Sequence, residues 1–125
     1  MNREQFIQYI SDEYGIDGEC LWVKYPLYRV FRHPGNRKWF ALVMDVPRNK
    51  LGLEGTEKLD VANLKCDPNL IGSLRGKSGI FPAYHMSKTS WITVSLDGSV
   101  PDKHIKMLLD MSYDATATKM KRDKN

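Results

Sequence analysis

The chain has 125 residues and a formal net charge of +4, with 42% hydrophobic and 27% charged residues. This length and composition predict one globular domain with a core of its own. No run approaches the roughly 20 apolar residues of a membrane span, and the polar start Met1-Asn2-Arg3 is unlike a signal peptide, so we expect a cytoplasmic protein that does not bind membranes.

Apolar spacing and turn residues predict a succession of short elements. Helices are expected where apolar residues recur every three or four positions, and strands where they alternate or run continuously. Asn2 is suited to cap the first helix, and Asp67-Pro68 to open the second. The predicted elements are, in chain order, a helix over 3–14, a strand over 29–32, a turn over 33–36, a strand over 39–46, a loop over 51–55, a strand over 58–65, a helix from 67 to 76, a long loop over 76–90, a strand over 91–96 and a helix from 101.

This order of elements favours the α+β class. Strands joined by tight turns predict an antiparallel sheet, and the apolar stripes of the helices predict that they pack on one face of it. We expect residues 1–118 to form a single domain that is a monomer. Residues 119–125 hold four basic residues and one acidic residue and are predicted to be a frayed basic tail.

Charge is distributed unevenly along the chain. Residues 4–19 contain five acidic and no basic residues, whereas residues 29–50 contain six basic residues and one acidic residue. A hairpin with this charge can follow the phosphates of double-stranded DNA, and the absence of base-reading features predicts binding without sequence preference. The alternative is a charged rim that protects a sheet edge. The candidate DNA-contacting residues are Arg29, Arg32, Arg37, Lys38, Arg48 and Lys50.

A second set of residues brings a Cys, a His, a Lys and a Trp close in sequence. Cys66 could be a nucleophile with His85 as base and Asp67 to orient it, but no motif of a cysteine hydrolase surrounds them. The favoured interpretation is structural. Cys66 is then a buried core residue, His85 lies in an ordered loop, and Trp91 is a core residue covered by the stem of Lys88. We therefore predict no enzyme, metal site or cofactor. The set comprises Lys65, Cys66, Asp67, Tyr84, His85, Lys88 and Trp91.

Several short segments form an ordered set over about residues 3–116. They are Leu21-Trp22, Tyr25-Pro26, Val30-Phe31-Arg32, Lys38-Trp39-Phe40-Ala41, Asn63-Leu64-Lys65-Cys66-Asp67-Pro68, Tyr84-His85-Met86, Lys88, Trp91-Ile92-Thr93, Leu96-Asp97-Gly98 and Ser112-Tyr113. Taken in order, these segments resemble the MmcQ/YjbR proteins. The resemblance implies a CyaY-like α+β fold in a double-wing arrangement, and a DNA-binding role without an established enzymatic activity.

Two features of the chain limit what the resemblance implies. Ser87, Thr89 and Ser90 stand where the family pattern has Asn and then a basic residue or His, which leaves fewer donors for a phosphate in this loop. The acidic first helix invites comparison with the iron-binding ridge of frataxin, which shares the CyaY-like fold, but its carboxylates are widely spaced, and a solvated face is favoured. The leading hypothesis is non-specific DNA binding by the basic hairpin. The alternative is a protein-interaction or small-ligand-binding module that uses the loop from Tyr84 to Lys88.

Overall fold

The apolar stripes and strand runs of the sequence fold into an α+β architecture. The computed structural model describes residues 1–118, so the predicted frayed tail over 119–125 lies outside the described residues. The elements are α1 (Arg3–Tyr14), β1 (Arg29–Arg32), β2 (Trp39–Pro47), a 3₁₀ helix (Arg48–Leu51), β3 (Lys58–Lys65), α2 (Pro68–Leu74), β4 (Ile80–Pro82), β5 (Trp91–Ser95) and α3 (Asp102–Thr116).

The helix ends form where the capping residues predict them. The Asn2 side chain accepts from the Gln5 N–H while the Gln5 side chain accepts from the Asn2 N–H, a capping box that starts α1. Gly15 ends α1 in a left-handed conformation with φ 65°. Asp67 accepts from the Asn69 N–H at 2.9 Å and caps α2.

The five strands form one antiparallel sheet in the order β1-β2-β3-β5-β4. One prediction is wrong here. The segment 76–90 was expected to be a loop throughout, but Ile80–Pro82 forms β4, and Ile80 pairs with Val94 of β5. A three-residue strand is too short to show an alternating pattern, so only its partner strand reveals it.

One face of the sheet carries the three helices, as predicted. Phe6 and Ile10 of α1, together with Ile105 and Leu109 of α3, are fully buried against this face. Their burial removes the apolar stripes of both helices from water, which is the main stabilising term of such a layer. The sheet residues in this core are Phe31, Phe40, Ala41, Val43, Ala62, Leu64, Ile80, Ile92 and Val94.

The opposite face of the sheet is covered by irregular segments. Its buried strand residues are Val30, Leu42, Met44, Val46, Leu59 and Val61. Packed against them are Trp39, the first residue of β2, and six side chains from three connections, namely Trp22, Tyr28, Leu51, Leu53, Tyr84 and Met86. We call this the loop-covered face, since none of the three α-helices packs on it.

A buried serine fixes the end of α3 to the sheet. The Ser112 hydroxyl donates to the Phe40 carbonyl at 2.6 Å and accepts from the Lys65 N–H at 2.8 Å. Four residues on, Thr116 ends the helix. The end of α3 is thereby held beside the start of β2 and the end of β3.

Candidate functional site

The turn between β1 and β2 carries two of the predicted DNA-contacting residues, Arg37 and Lys38. The His33 N–H donates to the Lys38 carbonyl, and the Arg37 N–H donates to the His33 carbonyl, both at 3.0 Å. The Asn36 side chain accepts from the Lys38 N–H and donates to the Thr116 carbonyl, both at 2.9 Å. The turn is thus fixed to the end of α3 while both cationic side chains stay exposed.

These two cations share a cavity of about 320 Å³ with Lys65 and Trp91. The Lys65 Nζ lies 5.6 Å from the centroid of the Trp91 ring, a cation–π contact. Among residues 1–118, no ion pair involves Arg37, Lys38 or Lys65. We call this the cationic cavity, and its lining residues are Arg37, Lys38, Trp39, Lys65, Met86, Trp91, Ala115 and Thr116.

The two arginines of β1 are already engaged within the protein. The Arg32 guanidinium donates to both carboxylate oxygens of Glu19, at 2.7 and 2.5 Å. These hydrogen bonds hold the pKa of Glu19 below its usual value. The Arg29 guanidinium donates to the Pro26 carbonyl at 2.8 Å. Both side chains therefore have less to offer a phosphate than the cations of the turn.

Arg48 and Lys50 lie away from the turn. They follow β2, whose nine residues extend over about 30 Å from the hairpin turn to the 3₁₀ helix. Lys50 lines a separate cavity of about 200 Å³ with Tyr84 and Lys88. The structure therefore does not bring the six candidate cations onto one ridge. It joins Arg37 and Lys38 with Lys65, which sequence reasoning had assigned to the other set.

Cys66 and His85 lie on opposite faces of the sheet. Cys66 is 4% exposed in the core under the helices, and burial raises the pKa of its thiol. His85 is exposed and lines a cavity on the loop-covered face. Asp67 caps α2 rather than contacting the imidazole. The structure does not bring together the nucleophile and base that a cysteine hydrolase needs.

The loop at Tyr84 is held by two buried polar residues that the sequence did not single out. The Asn63 side chain donates to the Tyr84 carbonyl at 2.7 Å, and the Tyr84 N–H donates to the Thr93 hydroxyl at 2.9 Å. Thr93 in turn donates to the Asn63 side chain at 2.5 Å. This network fixes the backbone just before His85 on the loop-covered face.

Trp91 and Lys88 are placed differently from one another. Trp91 is 9% exposed, in agreement with its interpretation as a core residue. The lysine beside its ring is Lys65 rather than Lys88. Sequence proximity suggested Lys88, but the antiparallel register pairs Lys65 with Trp91 across the sheet.

An aromatic cavity of about 310 Å³ opens on the loop-covered face, and sequence reasoning missed it. The sequence signal that could have indicated this cavity is the density of aromatic residues in 22–28, a segment without periodicity. The ring of Trp22 meets those of Tyr28 and Trp39 edge to face, with centroids 5.7 and 5.9 Å apart. The lining residues are Trp22, Tyr25, Tyr28, Trp39, Leu42, Met44, His85 and Met86.

Residues 1–118 contain neither a cluster of metal ligands nor a membrane-spanning helix. No three His, Cys, Asp or Glu side chains in that range are grouped as metal ligands. Within the same range, no helix has the length and apolar character needed to cross a membrane.

Comparison with known proteins gives consistent matches over most of the chain. The YjbR family model matches residues 16–115. The uncharacterized protein YyaQ of Bacillus subtilis is 38% identical over 116 residues, which cover 93% of this chain and 98% of that protein. The uncharacterized protein YjbR of Escherichia coli K12 is 38% identical over 86 residues, 68% of this chain and 64% of that protein.

Solved structures match as well. A crystal structure of a protein from Pseudomonas syringae has a TM-score of 0.92 and 49% identity, and the match covers 94% of this chain and all of that one. The crystal structure of Deinococcus radiodurans DR2400, a DUF419 domain, has a TM-score of 0.71 and 25% identity over 99% of this chain and 88% of that one.

Proposed function

The chain belongs to the YjbR family, and from this premise we propose that it binds double-stranded DNA without sequence preference, through cations at the β1–β2 turn. The observation that supports the proposal most is the convergence of Arg37, Lys38 and Lys65 on one cavity without a carboxylate partner in residues 1–118. Phosphates bind such unpaired cations and release counterions when they do.

The turn is suited to this role by its rigidity as well as its charge. Its backbone is tied to α3 through Asn36 and Thr116, so the cations of Arg37 and Lys38 are presented from a fixed position. Contacts of this kind position a protein on the duplex but read no sequence. The proposal assigns the protein a binding role with no catalytic step.

The test is fluorescence anisotropy of a labelled DNA duplex at several salt concentrations. The affinity of the unchanged protein should fall with salt by about 0.9 powers of the salt concentration per phosphate contacted. The neutral variant Arg37→Gln/Lys38→Gln should reduce that slope by about two, and Arg37→Glu/Lys38→Glu should remove most of the binding at low salt.

The matched control is Arg75→Glu/Lys77→Glu, which makes the same change in net charge on the exposed connection between α2 and β4. It should retain most of the affinity. Equal losses in both double variants would mean that net charge alone is responsible. Absence of binding at low salt in the unchanged protein would rule out the proposal.

A second candidate function is the binding of a small ligand by the loop from Tyr84 to Lys88. It is favoured by the aromatic cavity, which His85 and Met86 of this loop line. The cavity volume of about 310 Å³ lies at the lower end of the range for small-molecule sites, about 300–1,000 Å³.

A further inference from the structure

The aromatic cavity and the cationic cavity are neighbours. Trp39 and Met86 line both of them. Trp39 starts β2 directly after the cations of the turn, and Met86 follows His85 in the loop. A molecule in one cavity therefore lies close to the other, and we call the two cavities the aromatic half and the charged half of the candidate site.

The aromatic half is suited to a flat ring. Trp22 and Trp39 stand at an interplanar angle of 83°, and Tyr25 stacks on Tyr28 with centroids 4.7 Å apart. All four rings line the cavity. No carboxylate of residues 1–118 lines this cavity. An aromatic cage that binds a cation would gain from a nearby negative charge. Here the neighbouring half carries three positive charges instead.

Strained backbone conformations occur at both of these cavities. Among non-glycine residues in 1–118, Arg37 and His85 have positive φ, and both angles are 65°. One lines the charged half and the other the aromatic half. A left-handed backbone at residues with large side chains costs free energy and persists where the surrounding structure imposes it, often at binding sites.

We propose that the two neighbouring cavities together bind a nucleotide with an unpaired base. The base lies against the aromatic rings near Trp22 and Tyr25, and the phosphate is held by the cations of Arg37, Lys38 and Lys65. Base–aromatic stacking supplies affinity without sequence preference. The inference rests on the proposed function for its phosphate contacts but goes beyond it, because the bases of a duplex are stacked on each other and cannot enter the aromatic half.

The first experiment is isothermal titration calorimetry with AMP, adenosine, ribose 5-phosphate and tetramethylammonium. AMP should bind most tightly, and adenosine and ribose 5-phosphate should each bind at least about fivefold more weakly, since each lacks one half of the ligand. Equal affinity of AMP and ribose 5-phosphate, or of AMP and adenosine, would overturn the inference. Tetramethylammonium that competes with AMP at similar concentrations would overturn it too.

Single substitutions separate the two halves of the site. Tyr25→Ala, at a side chain that is 44% exposed, should weaken AMP binding about fivefold or more and leave ribose 5-phosphate unchanged. Lys65→Gln should weaken the binding of both AMP and ribose 5-phosphate. Leu70→Ala, at a side chain 39% exposed on α2, is the matched control and should change neither. If Tyr25→Ala and Trp22→Leu both keep the full affinity for AMP, the aromatic half is not used and the inference is wrong.

Oligonucleotides identify the source of the nucleotide and separate this inference from the proposed function. Tighter binding of a single-stranded oligodeoxyadenylate than of AMP supports an unpaired base within a strand, and the reverse order supports a free nucleotide. Salt-dependent duplex binding without any binding of AMP or single strands would overturn the inference and leave the proposed function standing. Binding of AMP without duplex binding would support the inference and overturn the proposed function.

Discussion

Individual polar residues decide how the loop-covered face is built. Asn63 of β3 and Thr93 of β5 are both fully buried, although both side chains are polar. They are buried because the backbone of Tyr84 crosses over them and supplies the hydrogen bonds that water would otherwise make. The local pattern at Thr93 predicts a solvent-facing side chain, and nothing near it in sequence indicates the covering loop.

At this scale we predict the effect of Thr93→Val. Valine keeps the shape of the side chain but leaves the Tyr84 N–H without its acceptor and the side-chain oxygen of Asn63 without its donor. Unfolding free energy should fall by about 2 kcal/mol, within the range for a buried unsatisfied polar group. Urea denaturation measures the change. Thr89→Val, at an exposed position in the loop that precedes β5, should change stability by less than about 0.5 kcal/mol.

The elements that could be predicted from the sequence are those whose residues repeat a pattern over several turns or pleats. The helices at 3–14 and from 101, and the strands at 29–32, 39–46 and 58–65, formed as the pattern indicated. β4 could not be predicted, because Ile80–Pro82 is shorter than one detectable repeat and depends on hydrogen bonds to β5. A strand that forms only because a partner strand pairs with it cannot be predicted from its own local sequence.

A pair of glycine substitutions tests the elements around β4. Gly79, just before β4, has φ 82°, and a Cβ there would lie 2.7 Å from Val100 Cγ2. Gly72 lies inside α2 with open space around it. Gly79→Ala should lower the melting temperature, whereas Gly72→Ala should stabilise the protein by about 0.5–1 kcal/mol through helix propensity. Thermal denaturation compares the two, and a tolerated Gly79→Ala would show that β4 adjusts freely.

The candidate site belongs to the whole molecule, because it forms from segments distant in sequence. Charge counting identified the basic segment 29–50 but not its division between the two ends of β2, which follows from the length of that strand. It also missed that Lys65 joins Arg37 and Lys38, since the three meet only when β2 and β3 pair and α3 closes the end. The aromatic cavity likewise needs three separate segments.

The contact that joins the hairpin to the helix layer should make the stability of the molecule depend on pH. His33 is 6% exposed, with its Nε2 2.9 Å from the Thr116 hydroxyl. Burial lowers the pKa of His33 below 6.5, against smaller opposing effects of Tyr113 and Asp114. The unfolded chain therefore binds a proton first as pH falls. The contribution of neutral His33 to the unfolding free energy should be fully present above about pH 6.5. It should decrease as the pH falls from there to the pKa of the folded state.

Urea denaturation at pH 7.5 and 5.5 measures this dependence. His33→Gln should lower stability at both values but flatten the decrease between them. His85→Gln, at an exposed imidazole, is the control and should leave the decrease unchanged. The same slope in the His33 variant as in the unchanged protein would contradict the assignment.

The two margins of the sheet, its edge strands β1 and β4, restrict how any partner can be recognised. On the outer side of β1, Val30 exchanges hydrogen bonds of 2.9 and 3.0 Å with the backbone of Glu19, so part of that margin is already occupied. The other margin is β4, which has three residues and ends in Pro82, a residue without an N–H to donate. Neither offers a long row of free backbone groups for an added strand. A peptide or a second copy of the chain should therefore not extend this sheet, and recognition falls to side chains.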